Sequence, residues 1–237
     1  MLDGDIIAYK AAFISESEGK IPDLEELITT KWVPPNVTSY SLAFSCARKD
    51  NFRREFWPHY KTNRDGIVKP DNLNEIKEML INKYTTISID NLEADDIIGI
   101  HCSAGSCVSV SIDKDFKQIP GWFWIPGQEN APGFRSIEDA NLYFYKQWII
   151  GDDTDNIWGL WKKGEKFANK FLESPDRVNV EEEILNLYKD EDWDRRPEHK
   201  KPTVDKVSFA ISQARCVRVL RENEYVNASP VLWSPSV

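Results

Sequence analysis

No stretch of the 237-residue chain approaches the ~18 apolar residues that a membrane-spanning helix needs. Its first residues carry acids where a secretory leader would carry a basic patch ahead of a long apolar core. A cytoplasmic location with no membrane partner is the expectation. Cysteine is scarce: Cys46, Cys102, Cys107 and Cys216 form no Cys-x-x-Cys pair and no even framework, so they read as reduced and mostly buried. Only His59, His101 and His199 are present, and they are scattered, which argues against zinc. Internal repeats and low-complexity segments are absent. An excess of positive charge is missing too, since 39 acids against 30 Lys and Arg leave a net charge of −9. Averaged over the chain, that balance counts against a nucleic-acid partner. The charge is segregated, however, and a metal bound among clustered acids would cancel part of it locally. With 41% hydrophobic and 12% aromatic residues the chain can bury a real core, which excludes disorder.

What is present begins with clustered carboxylates. Glu93, Asp95 and Asp96 open an amphipathic helix carrying Ile97, Ile98 and Ile100, where the positive end of the helix dipole favours acids. Such a quartet also serves as a simple cap. Cys107 to Ile112 is an apolar, β-branched strand with interspersed serines, and it delivers Asp113 at its carboxyl end with Asp115 across a turn. There the two can reach one cation, or stand as solvated turn residues before a short helix. Asp3 ends a very short first strand, and Gly4 permits a tight strand-to-helix turn. Only two residues precede Asp3, so this strand is either clipped or starts upstream. The third cluster is Gly151-Asp152-Asp153-Thr154-Asp155-Asn156-Ile157. Asp152 and Asp155 share a face if the segment turns helically, and a glycine C-cap followed by a capped helix accounts for the same residues. All these ligands are hard oxygens, which suit magnesium or manganese.

The basic residues concentrate elsewhere. Arg48 to Arg64 mixes cations with aromatics as a surface tracking a nucleic-acid strand would: Arg53, Arg54, Lys61 and Arg64 offer phosphate partners, and the aromatics offer stacking faces. Gly159 and Gly164 flank Trp161, Lys162 and Lys163 ahead of a helix from Glu165 to Leu172, a turn able to present amides to phosphate. Arg195, Arg196, Lys200 and Lys201 lie in a charged loop and read as solvated. Around these motifs the pattern alternates. Helices are expected at Pro22 to Trp32, Lys69 to Tyr84, Ser136 to Ile150, Val180 to Tyr188 and Val204 to Arg221; strands are expected at Val37 to Phe44, Thr85 to Ile89 and Trp122 to Ile125. Pro126 to Phe134 reads as a loop or hairpin, and the tail from Asn223 as extended. Alternation of this kind predicts a parallel sheet.

The order of motifs is itself informative: Asp3-Gly4; Arg53-Arg54 with Tyr60-Lys61-x-Asn63-Arg64; Glu93-Ala94-Asp95-Asp96; Asp113-Lys114-Asp115; Gly151-Asp152-x-x-Asp155-Asn156-Ile157. Over roughly residues 1 to 172 it resembles the 5′→3′ exonuclease and flap endonuclease family, most nearly the small phage exonucleases. The resemblance implies an α/β fold with a PIN-like (resolvase-like), mostly parallel central sheet flanked by helices. It places the nuclease core at 1–150, with a helical arch at about 48–70, and a C-terminal helical DNA-binding region at 151–237, with a helix–three-turn–helix at about 151–172. Asp3, Glu93, Asp95, Asp96, Asp113, Asp115, Asp152 and Asp155 then match the metal-binding carboxylates. Arg53, Arg54 and Lys61 match arch residues at the scissile phosphate, joined by Tyr60 and Arg64. Gly159, Lys162, Lys163, Gly164 and Lys166 fall in the DNA-binding turn, with Ala168 also fitting the family pattern.

The implied activity is hydrolysis of DNA, or of RNA primers in RNA–DNA hybrids, from duplex 5′ ends or flaps. It would use two Mg2+ or Mn2+ ions, in phage DNA replication or recombination, within the host cytoplasm and as a monomer. Two departures stand out. Trp161, Lys162 and Lys163 replace the family's Pro-Gly-Ile, which bears on whether a potassium ion is held at that turn. Ser45-Cys46 stand where the family has an aspartate after the second strand, and Asp50 lies a few residues on as a substitute. That second departure motivates an alternative, a catalytically impaired DNA-binding accessory factor of the same fold. A different class, a haloacid-dehalogenase-type phosphatase with Asp3 as nucleophile, would use Asp3-x-Asp5 and Gly151-Asp152-x-x-Asp155 but leaves the other motifs unexplained.

Overall fold

Short apolar runs separated by helices give a sheet of short strands. In the computed structural model, which describes residues 1–128, 131–174 and 177–236, these are β1 (Leu2–Asp3), β2 (Leu42–Phe44), β3 (Thr86–Ser88), β4 (Val108–Val110), β5 (Gly121–Trp124) and β6 (Gly133–Arg135). Their order is β3-β2-β1-β4-β5-β6, and every pairing is parallel except β5 with β6. Parallel strands need crossovers, and α1 (Gly4–Glu18), α2 (Leu24–Lys31), α3 (Leu73–Lys83) and α4 (Ala94–Cys102) supply them. This is the mostly parallel, helix-flanked sheet that the alternating pattern implies.

β1 is central although only two residues long, because Leu2 aligns with Leu42 on one side and Val110 on the other. Ile7, Ala8, Ala11 and Ala12 form the buried stripe of α1, and they share a core with Ile28, Leu42, Ile76 and Leu80. Full burial of each large aliphatic among them stabilises the fold by about 1.5–3 kcal/mol.

The chain divides into two compact units. The first comprises Met1–Asn51, Gly66–Ile137 and Val219–Pro230; the second comprises Phe52–Asp65, Glu138–Arg218 and Val231–Val237. The expected single cut at residue 150 crosses these units, and side-chain packing explains why. Helix α5 (Ile137–Ile150) contributes Phe144 and Trp148 to a core with Tyr188 of α7 (Val180–Asp190) and with Phe209 and Ala210 of α8 (Lys206–Val217). Between α5 and α7 lies α6 (Glu165–Leu172). The segment 52–65 adds Trp57 and Tyr60 to the same core.

Several local expectations are corrected. The arch segment forms three short 3-10 turns, Arg48–Asp50, Phe52–Glu55 and Thr62–Arg64, rather than longer helices, and Phe52, Trp57 and Tyr60 are buried rather than offered as stacking faces. Their apolar area does more for the fold inside than in water. The tail contains a two-stranded antiparallel ribbon, β7 (Tyr225–Val226) with β8 (Ser229–Pro230), turning through Asn227 and Ala228 at positive φ. Cys102 and Cys107 form a disulfide across the turn from α4 to β4, where the sequence suggested reduced thiols, because the turn brings their Cα atoms to 4.9 Å. Of the loop at Pro126 to Phe134, Glu129 and Asn130 lie outside the described residues, while Gly133 and Phe134 belong to β6. Among the described residues no helix is long and apolar enough to cross a membrane.

Candidate metal centre

In the first unit the acids stand where strands end and helices begin. Asp3 ends β1 and caps α1, accepting the Ile6 N–H at 3.1 Å. Its other carboxylate oxygen accepts the Ser111 hydroxyl at 3.0 Å, and that same hydroxyl oxygen accepts the Asp113 N–H at 3.0 Å. One serine at the end of β4 therefore ties the first strand's acid to the acid of the next turn. Asp113 in turn accepts the Asp115 N–H at 2.9 Å. Asp3 is buried, and burial, followed by the nearby Asp5 carboxylate, pushes its carboxyl up to about 7, with Asp113 acting in the same direction. Near neutral pH this carboxyl is therefore only partly ionised in the metal-free protein.

Glu93, Asp95 and Asp96 at the start of α4 offer ligand atoms that all lie within 4.8 Å of one another. Their hard oxygens fit a divalent ion of the magnesium or manganese type. The three are not equivalent. Asp96 is fully buried; one oxygen accepts the Glu93 N–H at 3.3 Å as half of a capping box, and the other accepts the Leu220 N–H at 3.1 Å. Both Asp96 oxygens thus hold main chain in place, in addition to the ligand atom that Asp96 offers to this group. Glu93 and Asp95 are half-buried.

The segment that meets Asp96 went unrecognised in the sequence. Residues 219–222 lie across α4 and the 3-10 helix Lys114–Gln118 that follows Asp113. The Val219 N–H donates to the buried Gln118 side chain at 3.2 Å, the Arg221 guanidinium donates to the Gln118 carbonyl at 3.0 Å, and the Glu222 N–H donates to Ser103 at 2.7 Å. Gly99 makes room for it: a Cβ there would stand 2.1 Å from the Leu220 carbonyl oxygen. A lone glycine inside the α4 pattern was the available signal.

Ser45, in place of the family's aspartate, has a different task. Its hydroxyl accepts the Ala94 N–H at 2.9 Å, capping α4 from the end of β2, and its own N–H donates to Asp5 at 2.9 Å. Asp5 is thus the carboxylate found at that strand end, and it also pairs with Lys77. Asp50, offered above as the substitute, sits exposed in its 3-10 turn. The spacing Asp3-x-Asp5 was visible; its partner Ser45 was not.

In the second unit the two remaining motifs meet each other. Gly151 and Gly159 pack back to back at positive φ, a Cβ on Gly159 falling 2.4 Å from the Gly151 nitrogen, and reciprocal hydrogen bonds of 2.8 Å between Asp152 and Ile157 close the loop between them. Asp152 caps the 3-10 turn Asp153–Asp155 through the Thr154 N–H. Onto this loop docks Tyr60-Lys61-x-Asn63-Arg64. The Lys61 N–H donates to the Asp155 carbonyl at 2.9 Å, its ammonium lies 3.4 Å from the Asp155 carboxylate, and Arg64 pairs with the same carboxylate. The Asn63 side chain donates to the Asp153 and Thr154 carbonyls, and the Tyr60 hydroxyl lies 3.4 Å from Asp155.

Arg53 is a correction. It is buried, and its guanidinium donates to the carbonyls of Cys216 at 3.0 Å and Arg218 at 2.6 Å, so it anchors α8 rather than facing a substrate. Arg54 is half-buried and Lys166 exposed. In the turn before α6, Lys162 lies over Trp161 and Lys163 over Phe167, so two of the predicted phosphate-binding cations rest on aromatic faces.

No family model matches the chain. Among curated proteins it is 29% identical over 213 residues to the exonuclease of Escherichia phage T7, covering 78% of this chain and 71% of that protein. The exodeoxyribonuclease of Enterobacteria phage T3 matches to the same degree over 78% and 70%, and a 5′-3′ exonuclease of Halalkalibacterium halodurans is 27% identical over 75% and 64%. By sequence the chain is similar to phage-type 5′→3′ exonucleases. Solved structures agree on the fold. The T5 5′-exonuclease with divalent metal ions (zinc) bound matches with a TM-score of 0.60 at 16% identity, over 91% of this chain and 87% of that one. The catalytic core of Rad2 in complex with DNA substrate matches with a TM-score of 0.53 at 12% identity, over 99% and 82%. The phosphatase reading fits this exonuclease fold poorly, and it fits the buried Asp3 poorly too, since both Asp3 oxygens are occupied.

Proposed function

We propose that the protein is a metal-dependent 5′→3′ nuclease, an exonuclease or flap endonuclease that hydrolyses DNA phosphodiesters from 5′ ends with two Mg2+ or Mn2+ ions. The observation that carries this reading is the carboxylate group Glu93, Asp95 and Asp96 within 4.8 Å, in a chain whose relatives are named exonucleases. Asp3, Glu93, Asp95, Asp96, Asp113 and Asp115 would hold the ions in the first unit, and Asp152 and Asp155 remain candidates in the second. When bound, such ions supply positive charge to the scissile phosphate and lower the pKa of water.

The chain's own residues do the rest. Asp3 would bind a cation in its ionised form, Ser111 keeps Asp3 and Asp113 tied together, and Asp96 fixes the start of α4. In the second unit Gly159, Lys162, Lys163, Gly164 and Lys166 are proposed to grip strand phosphates. Lys61, Arg64 and Arg54 would add charge where negative charge grows in the transition state. Action on RNA–DNA hybrids, a monomeric state, a cytoplasmic site of action and a role in phage DNA replication or recombination complete the proposal, while the replacement of the family's Pro-Gly-Ile by Trp161, Lys162 and Lys163 counts against a potassium ion at that turn. Digestion of a 5′-labelled duplex and a 5′-flap substrate, with magnesium and with EDTA, tests it. Magnesium-dependent release from the 5′ end is expected, and DNA binding without any cutting would move the reading to the accessory factor.

A further inference from the structure

The cavity beside Asp113 has the opposite charge to the acids it adjoins. Its volume is about 160 Å³, room for roughly five waters at about 30 Å³ each. Lys114, Lys117 and Arg135 line it, and Asp113 is the one carboxylate among its lining residues. Three cations to one acid reverses the balance of a chain in which acids outnumber cations 39 to 30. The cations arrive differently. Lys114 and Lys117 are exposed on the 3-10 helix after Asp113. Arg135, from β6, is fixed in place: its guanidinium carbon sits 4.2 Å from the centre of the Phe123 ring, and Nη1 donates to the carbonyls of Phe116 at 2.8 Å and Ile119 at 2.9 Å. Ser111 also lines the cavity, and its hydroxyl bonds both Asp3 and Asp113. Cavity and acids therefore share a wall.

We propose that this cavity receives the 5′-terminal phosphate of the strand being cut, an inference that rests on the nuclease reading. A fixed guanidinium with two ammonium groups at the rim of a small cavity, whose other walls are largely apolar (Phe116, Phe123, Trp124), is chemistry suited to a phosphate. Asp113 and Ser111 line the cavity and Ser111 bonds Asp3, so a phosphate in the cavity adjoins one held at the acids. With the terminal phosphate there, the bond between the second phosphorus and the first 3′-oxygen breaks. Water oxygen bonds to that phosphorus and one water proton passes to the 3′-oxygen. The strand keeps a new 5′-phosphate, and the released mononucleotide keeps the original one.

The test measures binding of two duplexes that differ only in a 5′-phosphate or a 5′-hydroxyl, with calcium in place of magnesium and inorganic phosphate as competitor. The wild type is expected to prefer the phosphorylated end roughly tenfold. Inorganic phosphate should erode that preference. The Lys114→Ala/Lys117→Ala double variant, with an unchanged melting temperature, should reduce it to less than about twofold. Equal binding of the two ends, a preference that the double variant keeps, or inorganic phosphate binding without end discrimination each overturns the subsite. Failure of both duplexes to be cut in magnesium would instead sink the nuclease reading, while the end preference in calcium is judged separately.

Discussion

The two units handle their acids in opposite ways. In the first, Glu93, Asp95 and Asp96 crowd within 4.8 Å, and Asp3 is driven toward protonation by burial and by Asp5. In the second, Asp155 is matched by Lys61 and Arg64, delivered by a motif ninety residues earlier that folds against the Asp152–Ile157 loop. A group of like charges held together by the fold costs stability unless something positive joins it. A charge matched inside the fold avoids that cost. The difference separates acids crowded against like charge from an acid matched by two cations, although the sequence presents them as equivalent short motifs.

The strongest way to break this comparison is Asp113→Asn. Loss of a carboxylate from the first unit's set is expected to reduce magnesium-dependent cutting by at least on the order of 100-fold while DNA binding in calcium is largely kept. A variant that cuts normally would end the ligand assignment.

Next comes the strap formed by residues 219–222. Gly99→Ala puts a methyl group where the Leu220 carbonyl oxygen stands. The expected outcome is a loss of roughly 1–3 kcal/mol in stability together with a roughly 10- to 100-fold weaker apparent affinity for magnesium, as for disrupted support of a metal site. Gly99→Ser should repeat the effect. Equal stability and an unchanged magnesium titration would show that the strap does not position Asp96.

How much of this was legible in the sequence follows from the range of each interaction. The sheet, its helices and the acids at strand ends were readable because hydrophobic period and Asp-Gly or Glu-Ala-Asp-Asp spacing are local. Residue-level support was not. Ser45 capping Ala94, Gln118 receiving Val219 and Leu220 bonding Asp96 join residues 49, 101 and 124 positions apart. The segment 52–65 was readable as basic and aromatic but not as packed, because nothing local says that Trp57 and Tyr60 will find Phe144, Trp148 and Phe209. Arg53 was misassigned for the same reason.

The third prediction sharpens the first unit's side of the comparison through pH. Burial pushes the Asp3 carboxyl up to about 7 in the folded chain, against about 3.9 for an ordinary aspartate. Its contribution to metal-free stability is therefore fully present below about pH 4 and is lost as pH rises through about 7. Over that window the folded chain holds a proton that the unfolded chain has released, so stability falls by up to about 1.4 kcal/mol per pH unit. Denaturant titrations in EDTA at pH 5, 6 and 7 should show that slope, and Asp3→Asn should flatten it. Parallel slopes in the two proteins would remove Asp3 from the account.

The smallest expected effect sets the units directly against each other. In EDTA, Asp155→Asn strips the counter-charge from Lys61 and Arg64, whose exposure to water is partial, and should cost about 1–2 kcal/mol. Asp113→Asn under the same conditions removes one negative charge from a repulsive set and should leave stability unchanged or slightly raised. Opposite signs for two identical chemical changes would establish that the fold, not the residue type, decides what an acid does here. If both variants lose stability alike, Asp113 is held by the fold just as Asp155 is, and the distinction between the two units fails.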